Sequence, residues 1–186
     1  MSEIRVLVLY PNERDMSLVP PVFGLFARIL RDRGFAVELF DSTGYDFEGR
    51  ADPDVEREKN LFFKPVEPAS EKRIRPKLTN MYDDLVQKVE EFGPDLIAMS
   101  ATESTFSRGI SLLRHLRSVK RYRILTIVGG VFATFAPEKV IRYPEIDILC
   151  VGEGDNALPE LCEHLRRGQD FTSVPNLWVK KPDGTV

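Results

Sequence analysis

The residues of this chain whose types could act on a ligand gather in four short stretches, 11–18, 100–105, 129–135 and 152–156, each following an apolar run. None of the four contains a His or a Cys. No nucleophile has a base within reach in sequence, no cluster has metal-ligand spacing, and no glycine-rich phosphate loop follows the first apolar run. The four stretches offer hydroxyls, carboxylates and glycines instead. A polar, glycine-lined edge of that kind reads as a binding site rather than a catalytic one, so no residue takes a catalytic or metal-ligating role. The sharpest signal is Gly129-Gly130, which ends the apolar run Ile124–Val128. Two glycines there leave no Cβ over the edge of a sheet. They let a large flat ligand lie against the backbone, or they only let the chain turn.

The elements that must position these stretches alternate regularly. Ile4–Tyr10 reads as a first, central strand, and Pro20-Pro21 opens a helix whose apolar face is Val22, Leu25, Phe26, Ile29 and Leu30. Phe35–Asp41, Asp95–Ser100, 124–128 and Ile146–Val151 read as four further strands. Met81–Phe92, Phe106–Val119, Pro137–Arg142 and Ala157–Leu165 read as helices. Continuous apolar runs such as Ile124–Val128 are typical of strands buried on both faces of a parallel sheet. The pattern predicts a doubly wound α/β domain, flavodoxin-like (Rossmann-like), with a five-stranded parallel sheet and helices on both faces. In such sheets ligands sit outside the carboxyl ends of the strands, where the four stretches fall. Residues 42–80 form a long polar insertion, with a short helix expected at Asp54–Asn60 and an apolar knot at Leu61-Phe62-Phe63. Asn176–Lys180 reads as an extended segment before a Pro-Asp-Gly turn.

Composition narrows the function classes. The 186 residues are 42% hydrophobic and 30% charged, which suits one domain with an ordinary core. The formal net charge of −3 gives no basic bias toward nucleic acid, and no apolar run approaches the length of a membrane span. No charged and apolar leader opens the sequence, so no secretory signal is read. Cys150 and Cys162, the two cysteines, make no disulfide framework and fit core positions. A reducing, cytoplasmic setting is the expectation. The basic run Arg114–Arg123 suits a helix C-terminus, either solvated or as a docking face.

In order and spacing these motifs resemble the cobalamin-binding domain that precedes the radical S-adenosylmethionine core in a large family of methylating and rearranging enzymes. Cobalamin domains of the methionine synthase type carry a DxHxxG loop, then SxL, then GG about 26–28 residues later. Here Ser100-Ala101-Thr102 stands in the SxL place, and the 26 residues 103–128 separate it from Gly129-Gly130. Val151-Gly152-Glu153-Gly154 followed by Leu158-Pro159-Glu160-Leu161 resembles the family's GEGE…LPEL stretch, and Pro20-Pro21…Gly24-Leu25 its PPxGL opening. Asn176-Leu177-Trp178 to Asp183-Gly184 resembles the segment that leads into the radical core. The resemblance implies a corrinoid partner held by Asn12, Leu18, Ser100, Thr102, Glu103, Gly129, Gly130, Val131, Gly152 and Glu153. It implies a domain over 1–175 and, from 176 to 186, the start of a linker toward a C-terminal radical domain.

The departures carry their own implications. The DxHxxG histidine is missing, and the two histidines, His115 and His164, lie in expected helices. The resemblance then implies a corrinoid bound with no protein nitrogen on cobalt. No CxxxCxxC is present to hold a 4Fe-4S cluster. S-adenosylmethionine and the cluster are therefore expected only in a core that this chain lacks, with the chain a non-catalytic fragment of a methyltransferase-like enzyme. Two rival readings stay open. One is a degenerate member that keeps the fold as a docking platform. The other is a different flavodoxin-like module, such as a receiver or a flavin domain, although the third strand ends in Ser100 rather than a phosphoacceptor Asp and Pro11–Asp15 is no phosphate loop.

Overall fold

A computed structural model describes residues 3–12, 21–45, 77–119, 123–181, 183 and 185–186. Leu18, Pro20, the expected helix at Asp54–Asn60, the Leu61-Phe62-Phe63 knot and Lys120-Arg121 lie outside the described residues.

The apolar runs become strands β1 (Arg5–Tyr10), β2 (Ala36–Asp41), β3 (Leu96–Ser100), β4 (Leu125–Gly129) and β5 (Ile148–Cys150). All five are parallel, in the order β2-β1-β3-β4-β5. A sixth strand, β6 (Leu177–Val179), pairs antiparallel with β5 and closes that edge. The segment expected only to be extended is thus part of the sheet, which has six strands rather than five. Its antiparallel sense follows from residues 168–176, which bring the chain from the amino-edge end of the last helix back to the carboxyl edge, where Asn176 bonds Val151 and Glu153, so that the strand then runs opposite to β5.

The helices are α1 (Pro21–Asp32), α2 (Met81–Phe92), α3 (Glu103–Val119), α4 (Val131–Phe135), α5 (Pro137–Val140) and α6 (Gly154–Arg167). Side-chain alternation along each strand separates two cores. Val6, Val8, Leu96, Ile127 and Ile148 pack with Ala27 and Leu30 of α1 and Leu161 and Cys162 of α6. Leu7, Leu9, Ile97, Met99, Val128 and Leu149 pack with Leu85 and Val89 of α2 and Ile110, Leu113 and Leu116 of α3. Burying each of these large side chains contributes roughly 1.5–3 kcal/mol. Gly109 lets α3 lie close on the sheet: a Cβ there would fall 2.3 Å from Met99 Sδ and 3.0 Å from Pro11 Cγ. Among the described residues, no helix is long and apolar enough to cross a membrane.

Two further features frame the domain. At the amino edge of the sheet the described arginines of the basic run, Arg114 and Arg123 still largely exposed, pair with acidic side chains. Arg114 Nε donates to Glu145 Oε1 at 2.6 Å, and Arg117 and Arg123 both pair with Asp147. Asp147 is buried and its Oδ2 also accepts the Thr126 N–H at 2.9 Å. At the carboxyl end of β2, Tyr45 and Lys77 form a parallel bridge, with the Lys77 N–H donating to Gly44 O at 2.7 Å. Lys77 Nζ lies over the Tyr45 ring, and the Tyr45 hydroxyl donates to Asp84 Oδ2 at 2.7 Å.

Candidate functional site

After β1 the chain crosses to β2 on one side, then returns to β3 on the other side of β1. The β1/β3 boundary is therefore the topological switch point, where two loops diverge and leave a crevice. In register, Ser100 at the end of β3 stands beside Gly129 at the end of β4. On the face covered by α1 and α6 the packing is incomplete here. Ser100, Gly129 and even Ala98, midway along the central strand, are only half-buried, whereas Leu96 is fully buried. Tyr10, on the same face of β1, is also half-buried, and burial, then the Asp41 carboxylate, raises its phenol pKa. Phe23 and Phe26 of α1 pack against this core from opposite the sheet. A Cβ on Gly154 would meet Phe26 Cζ at 3.2 Å and Cys150 Sγ at 3.5 Å. Among the described residues this leaves a half-buried, largely apolar strip between sheet and α1, a seam that runs to the carboxyl edge and ends at Ser100.

The two adjacent glycines have different reasons to be there. Gly130 has φ +97° and ψ −176°, a backbone region open essentially to glycine alone. Its Cβ would fall 2.8 Å from the Ala101 carbonyl oxygen and 3.3 Å from Ser100 Oγ. The fold itself requires glycine at that position. Gly129 lies in the strand, where a Cβ would meet Cys150 Cβ at an ordinary 3.6 Å. Among the described residues, nothing demands its bareness.

The other expected residues distribute as follows. Thr102 is the N-cap of α3: its carbonyl accepts the Phe106 N–H at 3.0 Å, and its N–H donates to Thr105 Oγ1 at 3.2 Å. Its hydroxyl shares hydrogen bonds with Ser104 and Thr105. Glu103 is exposed on the first turn of α3, and Val131 is 62% exposed on α4. Gly152 (φ +88°) and Glu153 are exposed on the loop before α6. Glu153 stands at the N-cap position without a side-chain cap hydrogen bond. Stretches 129–135 and 152–156, expected as loops, are thus largely the first turns of α4 and α6. Asn12 is placed apart from the seam, buried in the joint between the ends of β1 and β2. Its N–H donates to Ser42 Oγ at 2.9 Å and its Nδ2 to Thr43 Oγ1 at 2.9 Å, while its carbonyl accepts from Ser42 Oγ and Arg108 Nη1.

Two residues at the site were absent from the expectations. Thr134 Oγ1 donates to Gly130 O at 3.0 Å and accepts the Gly152 N–H at 3.1 Å, joining the two glycine turns. Asn176 Nδ2 donates to Glu153 O at 3.1 Å, and the Asn176 carbonyl accepts the Val151 N–H at 2.9 Å. Asn176 takes φ +67°, a conformation that Asn tolerates better than most residues.

The thiols of the described residues are not activated. Burial, then Glu153 and Asp155, pushes the Cys150 thiol up to about 11. Cys162 goes to about 12, chiefly by burial. Both are core thiols, as expected from sequence. Among the described residues, no group of three His, Cys, Asp or Glu could hold a metal ion. His115 lies tilted against the Tyr82 ring and His164 contacts Asp170 O, each in the carboxyl half of its helix and so toward the amino edge of the sheet.

Residues 69–162 match the protein family described as the B12 binding domain. The cytidylyl-2-hydroxyethylphosphonate methyltransferase of Streptomyces wedmorensis is 24% identical over 178 residues, covering 96% of this chain and 30% of that protein. The radical S-adenosylmethionine methyltransferase TsrM from Kitasatospora setae, solved with cobalamin and a [4Fe-4S] cluster bound, superposes with a TM-score of 0.66 at 18% identity. That alignment covers 98% of this chain and 28% of TsrM. The cobalamin-dependent S-adenosylmethionine radical enzyme OxsB, solved with aqua-cobalamin and S-adenosylmethionine, gives 0.65 at 17% identity, covering 98% of this chain and 21% of OxsB. The chain spans less than a third of the length of each of these proteins.

Proposed function

The chain belongs to the B12-binding domain family, and from that premise we propose that it holds a corrinoid at the carboxyl edge of its sheet, with the nucleotide tail in the seam beneath Ser100 and Gly129. The carrying observation is Gly129: among the described residues a Cβ there would meet only Cys150, at an ordinary contact distance, so the glycine is spared for something other than the chain's own packing. Ser100 supplies a hydroxyl at the mouth, and the apolar wall of Ala98, Phe23 and Phe26 suits a flat aromatic base. Around the mouth, Thr102, Glu103, Val131, Gly152 and Glu153 present polar and apolar groups to the amide-rimmed macrocycle. Cobalamin, when bound, supplies a cobalt centre able to carry a methyl group.

The lower face of cobalt takes no histidine from this chain in our reading. Both histidines lie at least ten residues along α3 and α6 from the carboxyl edge, or about 15 Å at 1.5 Å per residue. The relatives support a parent enzyme of the radical S-adenosylmethionine, methyltransferase-like kind. Its S-adenosylmethionine and 4Fe-4S cluster would be bound outside residues 1–175, with 176–186 leading toward that core. The two buried free thiols suit a reducing, cytoplasmic compartment.

The test is a hydroxocobalamin titration of the chain, followed by visible spectrum and melting temperature. Saturable binding with a raised melting point, lost in Gly129→Leu, is the expected result. A folded wild-type chain that leaves the spectrum unchanged overturns the proposal and favours a docking platform built on the same fold.

A further inference from the structure

The loop 151–154 carries Glu153 at the rim of the proposed site, yet it is held almost entirely from outside itself. Thr134 on α4 grips one side, donating its hydroxyl proton to Gly130 O and accepting the Gly152 N–H. Asn176 grips the other, donating its amide to Glu153 O and accepting the Val151 N–H on its carbonyl. Three consecutive residues, Val151, Gly152 and Glu153, thus each have one backbone group tied to a side chain or carbonyl from another element. Gly152 sits at φ +88° and Asn176 at φ +67°, so the arrangement is over-determined by its hydrogen bonds rather than by local preference. With its backbone fixed, the Glu153 side chain is left without a capping role and exposed to solvent.

We infer that Thr134 and Asn176 are positioning residues for the corrinoid site: together they clamp the loop 151–154 against the Gly130 turn, so that Glu153 meets the ligand already in place. The inference rests on the corrinoid reading above and adds to it two residues that need not touch the ligand. A loop fixed before binding loses less conformational entropy on binding, so loosening it weakens affinity without removing a contact. The clamp also makes the stretch before β6 part of the site's frame.

The experiment uses Thr134→Val, which keeps the shape and deletes the hydroxyl, Thr134→Ser, which keeps it, and Asn176→Gly, which keeps the backbone conformation and deletes the amide. Two readouts are taken: hydrogen exchange at the Gly152 amide in the ligand-free chain, and the hydroxocobalamin dissociation constant. Thr134→Val is expected to speed Gly152 exchange at least about fivefold and to weaken hydroxocobalamin about tenfold, with Thr134→Ser within about twofold of wild type on both. Asn176→Gly is expected to weaken binding several-fold while leaving Gly152 exchange close to wild type, because Thr134 still holds that amide. Thr134→Val binding as tightly as wild type, or Thr134→Ser failing to recover affinity, overturns the clamp. If the wild-type chain itself does not bind hydroxocobalamin, the functional reading falls and the corrinoid role of the clamp with it. Gly152 exchange then reports separately whether Thr134 holds the loop.

Discussion

The contrast between Gly129 and Gly130 separates what the fold needs from what the proposed corrinoid site would need. Alanine at Gly130 must adopt φ +97° and ψ −176°, which costs about 1–3 kcal/mol for a residue with a Cβ. The same Cβ would lie 2.8 Å from the Ala101 carbonyl oxygen, a backbone atom that cannot swing aside. Relieving that overlap means moving the end of β3 or of β4, at about 1–3 kcal/mol more. A total of about 4 kcal/mol lowers the melting temperature of a domain this size by about 8–16 °C. Alanine at Gly129 meets Cys150 Cβ at 3.6 Å, a normal contact, in a strand conformation any residue accepts. It is expected to leave stability within about 1 kcal/mol, with the sign tending to stabilisation because the unfolded chain loses freedom. Its methyl group, however, enters the seam and should weaken hydroxocobalamin about tenfold or more. Thermal melts of the ligand-free chain and spectral titrations of both variants supply the four numbers needed. Gly129→Ala binding like wild type would sink the placement of the ligand over that residue. Gly130→Ala melting like wild type would sink the backbone argument.

Two further outcomes follow from the cores. Cys150 and Cys162 keep their protons in the folded chain to about pH 11 and about 12, whereas unfolded thiols lose them near pH 8.5. Their contribution to stability is therefore complete below about pH 8.5 and declines as pH rises toward those folded values; urea midpoints at pH 7, 9 and 10 should show the decline, and Cys150→Ala with Cys162→Ala should flatten it. At the amino edge, Asp147→Ala removes the acceptor for Arg117, Arg123 and the Thr126 N–H and should cost about 3 kcal/mol. Arg123→Ala, on the exposed side of the same cluster, should cost under about 1 kcal/mol, and equal losses in the two would contradict the assignment of Asp147 as the hub.

Much of the fold was legible in sequence because strands covered on both faces must be apolar throughout, as in Val6–Leu9 and Ile124–Val128. β6 was not, since three residues at a sheet edge leave too little pattern to distinguish a strand from an extended tail. The candidate site was legible as a pair of glycines at a sheet edge, yet only tertiary distances separate them: Gly130 is required by the backbone, whereas a Cβ on Gly129 makes only an ordinary contact. Asn12, in the loop after the first strand, was expected at the ligand from the resemblance alone. Its contacts with Ser42, Thr43 and Arg108, remote in sequence, could not be read before folding. Thr134 and Asn176 carried no signal, because each acts across a gap of about twenty residues on partners that become neighbours only in the folded sheet.

The Tyr45–Lys77 bridge has an architectural consequence. Residues 45 and 77, far apart in sequence, are held side by side at the carboxyl end of β2, on the same rim as Ser100 and Gly129. For ends pinned in this way the closure entropy of a joining chain grows slowly, by about 0.6 kcal/mol for each doubling of its length. The two strandlike posts thus set a fixed separation that any length of joining sequence must meet, and the sheet's own hydrogen bonding enforces it.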